Sequence, residues 1–129
     1  STGTTINAPS AEAVYDLFLV DQAGNISNPS KYTVTVDNTV PTNQDAVFST
    51  NASAVKNTQI TLNHAPASGE TIWIAPATAT QFTSTSSTMT KSTGQTITVP
   101  SQPATYKIFV VDQAGNVSTP SIATLTVTN

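Results

Sequence analysis

Apolar residues alternate with polar ones in short runs along this chain, the period of two that belongs to half-buried strands. The clearest run is 122–128, where Ala123, Leu125 and Val127 alternate with Thr124, Thr126 and Thr128. Further strands are expected at 46–49, 58–63, 71–75, 80–83, 96–99 and 105–112. Pro66, Ser68-Gly69, Pro76, Pro100, Pro103, Gly115 and Pro120 fall between them, where a missing donor or a positive φ is tolerated. Seven strands in about 90 residues predict a two-sheet Greek-key sandwich. No window of about 11 residues keeps a helical apolar period. In the run 105–112 the inward set is Tyr106, Ile108 and Val110, which leaves Phe109 and Val111 facing outward. If Ile72 and Ile74 also point inward, Trp73 joins Phe109 on that outer face. A solvated antiparallel sheet normally carries polar residues there, so an apolar outer face asks for a cover.

The second strong pattern is a duplication. Residues 1–38 match 92–129 at a constant offset of 91, with 23 of 38 positions identical. Both copies begin Ser-Thr-Gly and end in Asn. A period near 90 residues is the size of one small β domain. The chain is therefore read as the C-terminal portion of one unit, about three strands over 1–38, followed by a complete unit over 39–129. Phe18 and Val20 occupy in the first copy the outward positions of Phe109 and Val111.

Composition agrees with the pattern and removes several functions. There are 25 Thr and 14 Ser, no Cys and no Arg, and only 9% of residues are charged. The β-branched residues favour pleated surfaces. Four Lys and a net charge of −3 lack the basic footprint that nucleic-acid binding requires. No apolar run reaches the roughly 20 residues of a membrane span, so direct membrane insertion is not expected. Without Cys there is neither a disulfide framework nor thiol chemistry.

The most repeated motif is Asp-Gln-Ala-Gly-Asn, at 112–116 and again at 21–25. Its simplest reading is a turn: Asp accepts from backbone amides, Gly supplies the positive φ and Asn tolerates the left-handed region. On Val-Asp-Gln-Ala-Gly-Asn-Val-Ser at 111–118, its copy at 20–27 and the junction Val36-Asp37-Asn38-Thr39-Val40-Pro41-Thr42, the chain resembles the immunoglobulin-like modules strung together in bacterial surface and secreted proteins, among them S-layer proteins, adhesins and the tails of extracellular hydrolases. The resemblance implies an all-β, immunoglobulin-like Greek-key sandwich and an extracellular or cell-surface location. It also implies adjacent repeats as partners. Tyr106 and Tyr15 look like the tyrosine corner of that fold, with its Cys position made aliphatic as Ile108 and Leu17.

Two functional readings follow. The first is a spacer or assembly module without catalytic residues, and the second is a carbohydrate-binding accessory module whose surface would use Trp73, Phe109, Val111, Phe18 and Val20. A cofactor is not required. Calcium is the one candidate ion, held at a module junction by Asp37, Asn38, Asp45, Asp112 and Asn116, although hard cations of that size want six to eight oxygens and this set is thin. Catalysis has less to stand on. His64 is the single histidine, Glu12 and Glu70 fall in different units, and no Lys, acid and Asn pattern marks an intramolecular amide cross-link. Residues 1–38 alone would leave one sheet face bare, so they are expected to pair with another chain or pack on the complete unit, which makes self-association through 1–38 a further expectation.

Overall fold

A computed structural model describes residues 3–79 and 89–129. The chain divides into two compact units, Ser1–Thr39 and Val40–Asn129. Among the described residues the fold is all-β apart from one short helix.

The second unit is an immunoglobulin-like sandwich. Its strands are β3 (Ala52–Val55), β4 (Gln59–Thr61), β5 (Thr71–Pro76), β6 (Thr90–Lys91), β7 (Thr96–Thr98), β8 (Thr105–Val111) and β9 (Leu125–Thr128). One sheet has the order β3-β9-β8-β5-β6 and the other is the pair β4-β7. The pairing of β3 with β9 is parallel, while β5, β8 and β9 pair antiparallel. The core lies between the sheets. Ile72 and Ile74 of β5, Tyr106, Ile108 and Val110 of β8, and Leu125 and Val127 of β9 join Leu62, Ile97 and Val99 in one buried cluster. At 1.5–3 kcal/mol for each large apolar side chain removed from water, roughly, this cluster is the main source of the unit's stability.

The strand expected at 46–49 is instead a helix, α1 (Gln44–Val47). The buried residues are Gln44, Val47 and Phe48, spaced i, i+3 and i+4. Because Gln holds the first of those places, the helical spacing does not show as an apolar period. The side-chain amide of Gln44 reaches Thr119 Oγ1 at 3.0 Å, and Val47 N donates to Asn43 O at 3.0 Å. β3 was not expected, since Ala52 and Ala54 carry little strand preference. It forms because β9 offers a ladder from Leu125 to Thr128. The expected strand at 80–83 lies outside the described residues.

The first unit keeps fewer strands than expected. β1 (Ala13–Tyr15) pairs antiparallel with β2 (Val34–Val36), and Tyr15 faces Val34 as Tyr106 faces Leu125. β1 ends at Tyr15, whereas β8 continues to Val111. The reason lies in the partners. Residues 106–111 pair with β5, and unit 1 has no strand of that kind among its described residues. Among its described residues the half unit is thus a two-stranded ladder whose strands are joined by the long connection 16–33, itself tied by a bridge between Val20 and Ile26, where about three strands were expected.

Candidate functional site

Hydrogen bonds of Asp112 close the turn after β8. Asn116 N donates to Asp112 Oδ1 and Asn116 Nδ2 to Asp112 Oδ2, both at 2.8 Å. Asp112 N donates to Asn116 O at 3.1 Å, so the turn is tied from both sides. Gly115 stands at φ 93°, a region that L side chains rarely adopt. The Asn116 side-chain bond, aided by backbone bonds from Asn116, Gly115 and Ala114, holds the Asp112 carboxyl below its ordinary value of 3.8 against a smaller opposing effect of desolvation. The first copy repeats this geometry. Asn25 N reaches Asp21 Oδ1 and Asn25 Nδ2 reaches Asp21 Oδ2 at 2.8 Å, Gly24 has φ 91°, and the Asp21 carboxyl is lowered by the same bonds from Asn25.

The other members of the expected calcium set have local roles as well. Asp45 Oδ1 accepts from Ile122 N at 2.7 Å, which pins α1 to the segment leading into β9. Asp37 Oδ1 accepts from Thr39 N at 2.9 Å, and Asn38 Nδ2 donates to Ser10 O at 3.0 Å, both within unit 1. Among the described residues no group of three or more His, Asp and Glu side chains is gathered around a point where an ion could sit. The hydrogen bonds of Asp112 and Asn116 thus account for the motif as turn chemistry.

Trp73 and Phe109 sit directly opposite each other in the β5–β8 ladder. Their neighbours Ile72, Ile74, Ile108 and Val110 are fully buried in the core, so the Trp73–Phe109 pair lies on the outer face, as the alternation predicts. Phe109 is nevertheless buried at 9% exposure. Trp73 is half-buried and donates from Nε1 to Thr71 Oγ1 at 2.9 Å. Val111 is half-buried and bridges to Val117 across the turn. The Ser/Thr-rich excursion 78–92 is expected from the sequence to fold over this face, and its residues 80–88 lie outside the described residues.

Two serines that sequence reasoning passed over organise the β8 edge. Ser118 Oγ accepts from Val110 N at 2.9 Å and donates to Thr119 O at 2.8 Å. Ser121 Oγ accepts from Ile108 N at 3.0 Å and donates to Ala123 O at 2.8 Å. Both are buried, and each hydroxyl satisfies a strand amide that no neighbouring strand reaches. Their repetition at Ser27 and Ser30 is the signal that could have found them. In unit 1, Leu19 N donates to Ser27 Oγ at 2.9 Å and Leu17 N to Ser30 Oγ at 3.1 Å. The tyrosine corner is also formed twice, with Tyr106 Oη on Gln102 O at 2.9 Å and Tyr15 Oη on Ala11 O at 2.8 Å. Burial raises the Tyr106 phenol above its ordinary value.

The two copies therefore share a hydrogen-bond skeleton, but they differ in burial. Ile97, Ile108 and Val110 are 1%, 0% and 0% exposed, and their counterparts Ile6, Leu17 and Leu19 are 60%, 42% and 79% exposed. Phe18 and Val20 are exposed as well, at 53% and 63%. The surface expected at Phe18 and Val20 is thus exposed on both faces of its segment, since the core-side residues Leu17 and Leu19 are bare too.

The acids and the histidine do not converge. Glu70 accepts from Asn43 Nδ2 at 2.8 Å within unit 2, and Glu12 accepts from Thr39 Oγ1 at 3.0 Å within unit 1. His64 is exposed. Lys56 Nζ donates a hydrogen bond to Asn129 Oδ1 at 3.3 Å on an exposed edge. An open depression of about 560 Å³ lined by Asp45, Ser49, Thr50, Asn51, Ile122 and Ala123 contains no aromatic ring on which a sugar could stack. Among the described residues no helix is long and apolar enough to cross a membrane.

Comparison with known proteins adds little to this geometry. No family model matches the chain, and no curated protein matches it. Among solved structures the chain is similar to the Bacteroides ovatus mixed-linkage glucan utilization locus protein SGBP-B in complex with a mixed-linkage heptasaccharide, at 23% identity and a TM-score of 0.34. The match covers 96% of this chain and 32% of that one, so the chain spans about a third of its length.

Proposed function

We propose that the chain is a non-catalytic, immunoglobulin-like repeat that serves as a spacer and assembly module of a larger bacterial surface or secreted protein. The observation that carries this reading is the duplicated skeleton: the Tyr corner, the two Ser hydroxyls and the Asp–Asn turn recur in both copies and are consumed in holding the fold. The side chains of Tyr106, Ser118, Ser121 and Asp112 are each bonded within unit 2. The resemblance of the 111–118 motif and the 36–42 junction to bacterial tandem modules supports the extracellular context.

A second reading, a carbohydrate-binding accessory module, is favoured by the placement of Trp73 beside Phe109 on the outer face of the larger sheet. Affinity electrophoresis of the whole chain in gels containing soluble polysaccharides, mixed-linkage glucan among them, separates the two. A spacer migrates unretarded in every gel. Retardation that disappears in W73A while the thermal transition is kept would establish the second reading and overturn the first.

A further inference from the structure

The outer face of the larger sheet carries charges of one sign. Trp73 pairs with Phe109 on one side and with Lys91 on the other, and Ala75 pairs with Lys107. Ile72, Ile74, Ile108 and Val110 point into the core, so Lys91, Trp73, Phe109 and Lys107 all project from the opposite face. Paired side chains start about 5 Å apart and diagonal ones about 7–8 Å apart, within reach of a lysine. Trp73 is therefore flanked by two cations. None of the three acids of unit 2 stands on a strand: Asp45 accepts from Ile122 N, Glu70 from Asn43 Nδ2 and Asp112 from Asn116. The duplication singles out Lys107. Across the 38 matched positions it is the one place where a base in one copy answers an acid in the other, Tyr106-Lys107 against Tyr15-Asp16. Lys91 lies on β6 at the edge of the sheet, where a lysine also keeps further strands from adding. β8 is the central strand, and Lys107 has no such duty there.

Trp73 supplies the rest of a binding surface. It is half-buried, and its bond from Nε1 to Thr71 Oγ1 at 2.9 Å, on the same face, holds the indole in place. A fixed indole is an apolar plate for the C–H side of a sugar ring. Exposed Thr126 and Thr128 add hydroxyls to this face, since their neighbours Leu125 and Val127 point into the core. We infer that the ligand of this face is an acidic polysaccharide, whose sugar rings stack on Trp73 while its acid groups fall to Lys91 and Lys107. This names the ligand class of the carbohydrate-binding reading above and rests on that reading. Overall charge does not produce the same binding. The chain carries −3, so a polyanion is repelled by the molecule as a whole and is held only where cations are local.

The test is affinity electrophoresis of the whole chain in gels holding polygalacturonate, carboxymethyl cellulose or hydroxyethyl cellulose, the last two sharing a backbone and differing in charge. Retardation is expected in the two acidic gels and not in the third, and it weakens as salt is raised. K91Q and K107Q each weaken it about 2- to 5-fold, the range of an exposed ion pair. K107D, which gives unit 2 the charge of the first copy, weakens it further, and W73A abolishes it. K91Q lies on an exposed edge and keeps the test readable if a change at Lys107 disturbs the fold. Retardation by hydroxyethyl cellulose or mixed-linkage glucan as strong as by the acidic gels overturns the inference and leaves the carbohydrate-binding reading standing. No retardation in any gel overturns both. Equal retardation by polyglutamate, unaffected by W73A, assigns the lysines to acidic peptides and also overturns it.

Discussion

Asp112 shows how a residue that reads like an ion ligand becomes a structural one. Both carboxylate oxygens accept from Asn116, and the ionised form is the one these bonds favour. The carboxyl therefore titrates lower in the folded chain than in the unfolded one. A group of that sign stabilises the fold above its unfolded value, and the contribution fades as pH falls from about 4 through the lowered folded value. Asp112→Asn removes this dependence while keeping an acceptor oxygen. The melting temperature of the native chain should accordingly fall more steeply below about pH 4 than that of D112N, with the two curves drawing together at the acid end. Parallel curves over that range would show that the turn does not sense the charge. Asp21→Asn, in the copy that lacks a core, should leave the melting curve where it is.

At the level of elements, the turn between β8 and β9 is where conformation rather than packing sets stability. Gly115 has no atom within 4 Å of the place a Cβ would occupy, so Gly115→Ala meets only backbone strain. At φ 93° the expected loss is about 1–2 kcal/mol, measured by denaturant unfolding with an unchanged slope. A cost near zero would mean that the turn relaxes away from its positive φ. The same scale shows why some elements were legible in the sequence and others were not. β5, β8 and β9 were readable because Ile72, Ile74, Tyr106, Ile108, Val110, Leu125 and Val127 alternate strictly and all reach the core. The turn was readable from Asp, Gly and Asn alone. α1 was not, because Gln44 takes an apolar place in a helical stripe only three residues wide. β3 was not, because its stability comes from the ladder with β9, a pairing distant in sequence that Ala and Ser do not announce. For the candidate surface, alternation placed Trp73 and Phe109 on one face, but the burial of Phe109 depends on tertiary cover that no local pattern records. Ser118 and Ser121 carry no local pattern that marks a buried role, and only their identical spacing in both copies, as Ser27 and Ser30, signals it.

For the whole molecule, duplication without equal burial predicts unequal consequences for equal substitutions. Ile108 and Leu17 hold the same place in the repeat and have their amides held by equivalent serine hydroxyls, those of Ser121 and Ser30. Only Ile108 is enclosed. Truncating a fully buried Ile removes its transfer free energy and leaves a cavity, so Ile108→Ala should cost about 2–5 kcal/mol. That is a large part of the total stability expected of a small domain, about 5–15 kcal/mol. Leu17→Ala removes a side chain that water already reaches, and its effect on the cooperative transition should stay within about 0.5 kcal/mol, the range of surface substitutions. Urea unfolding of the two variants, followed by the emission of Trp73 in unit 2, measures both. A loss for L17A comparable to that for I108A would mean that Leu17 is enclosed in solution. The half unit would then take part in the cooperative fold.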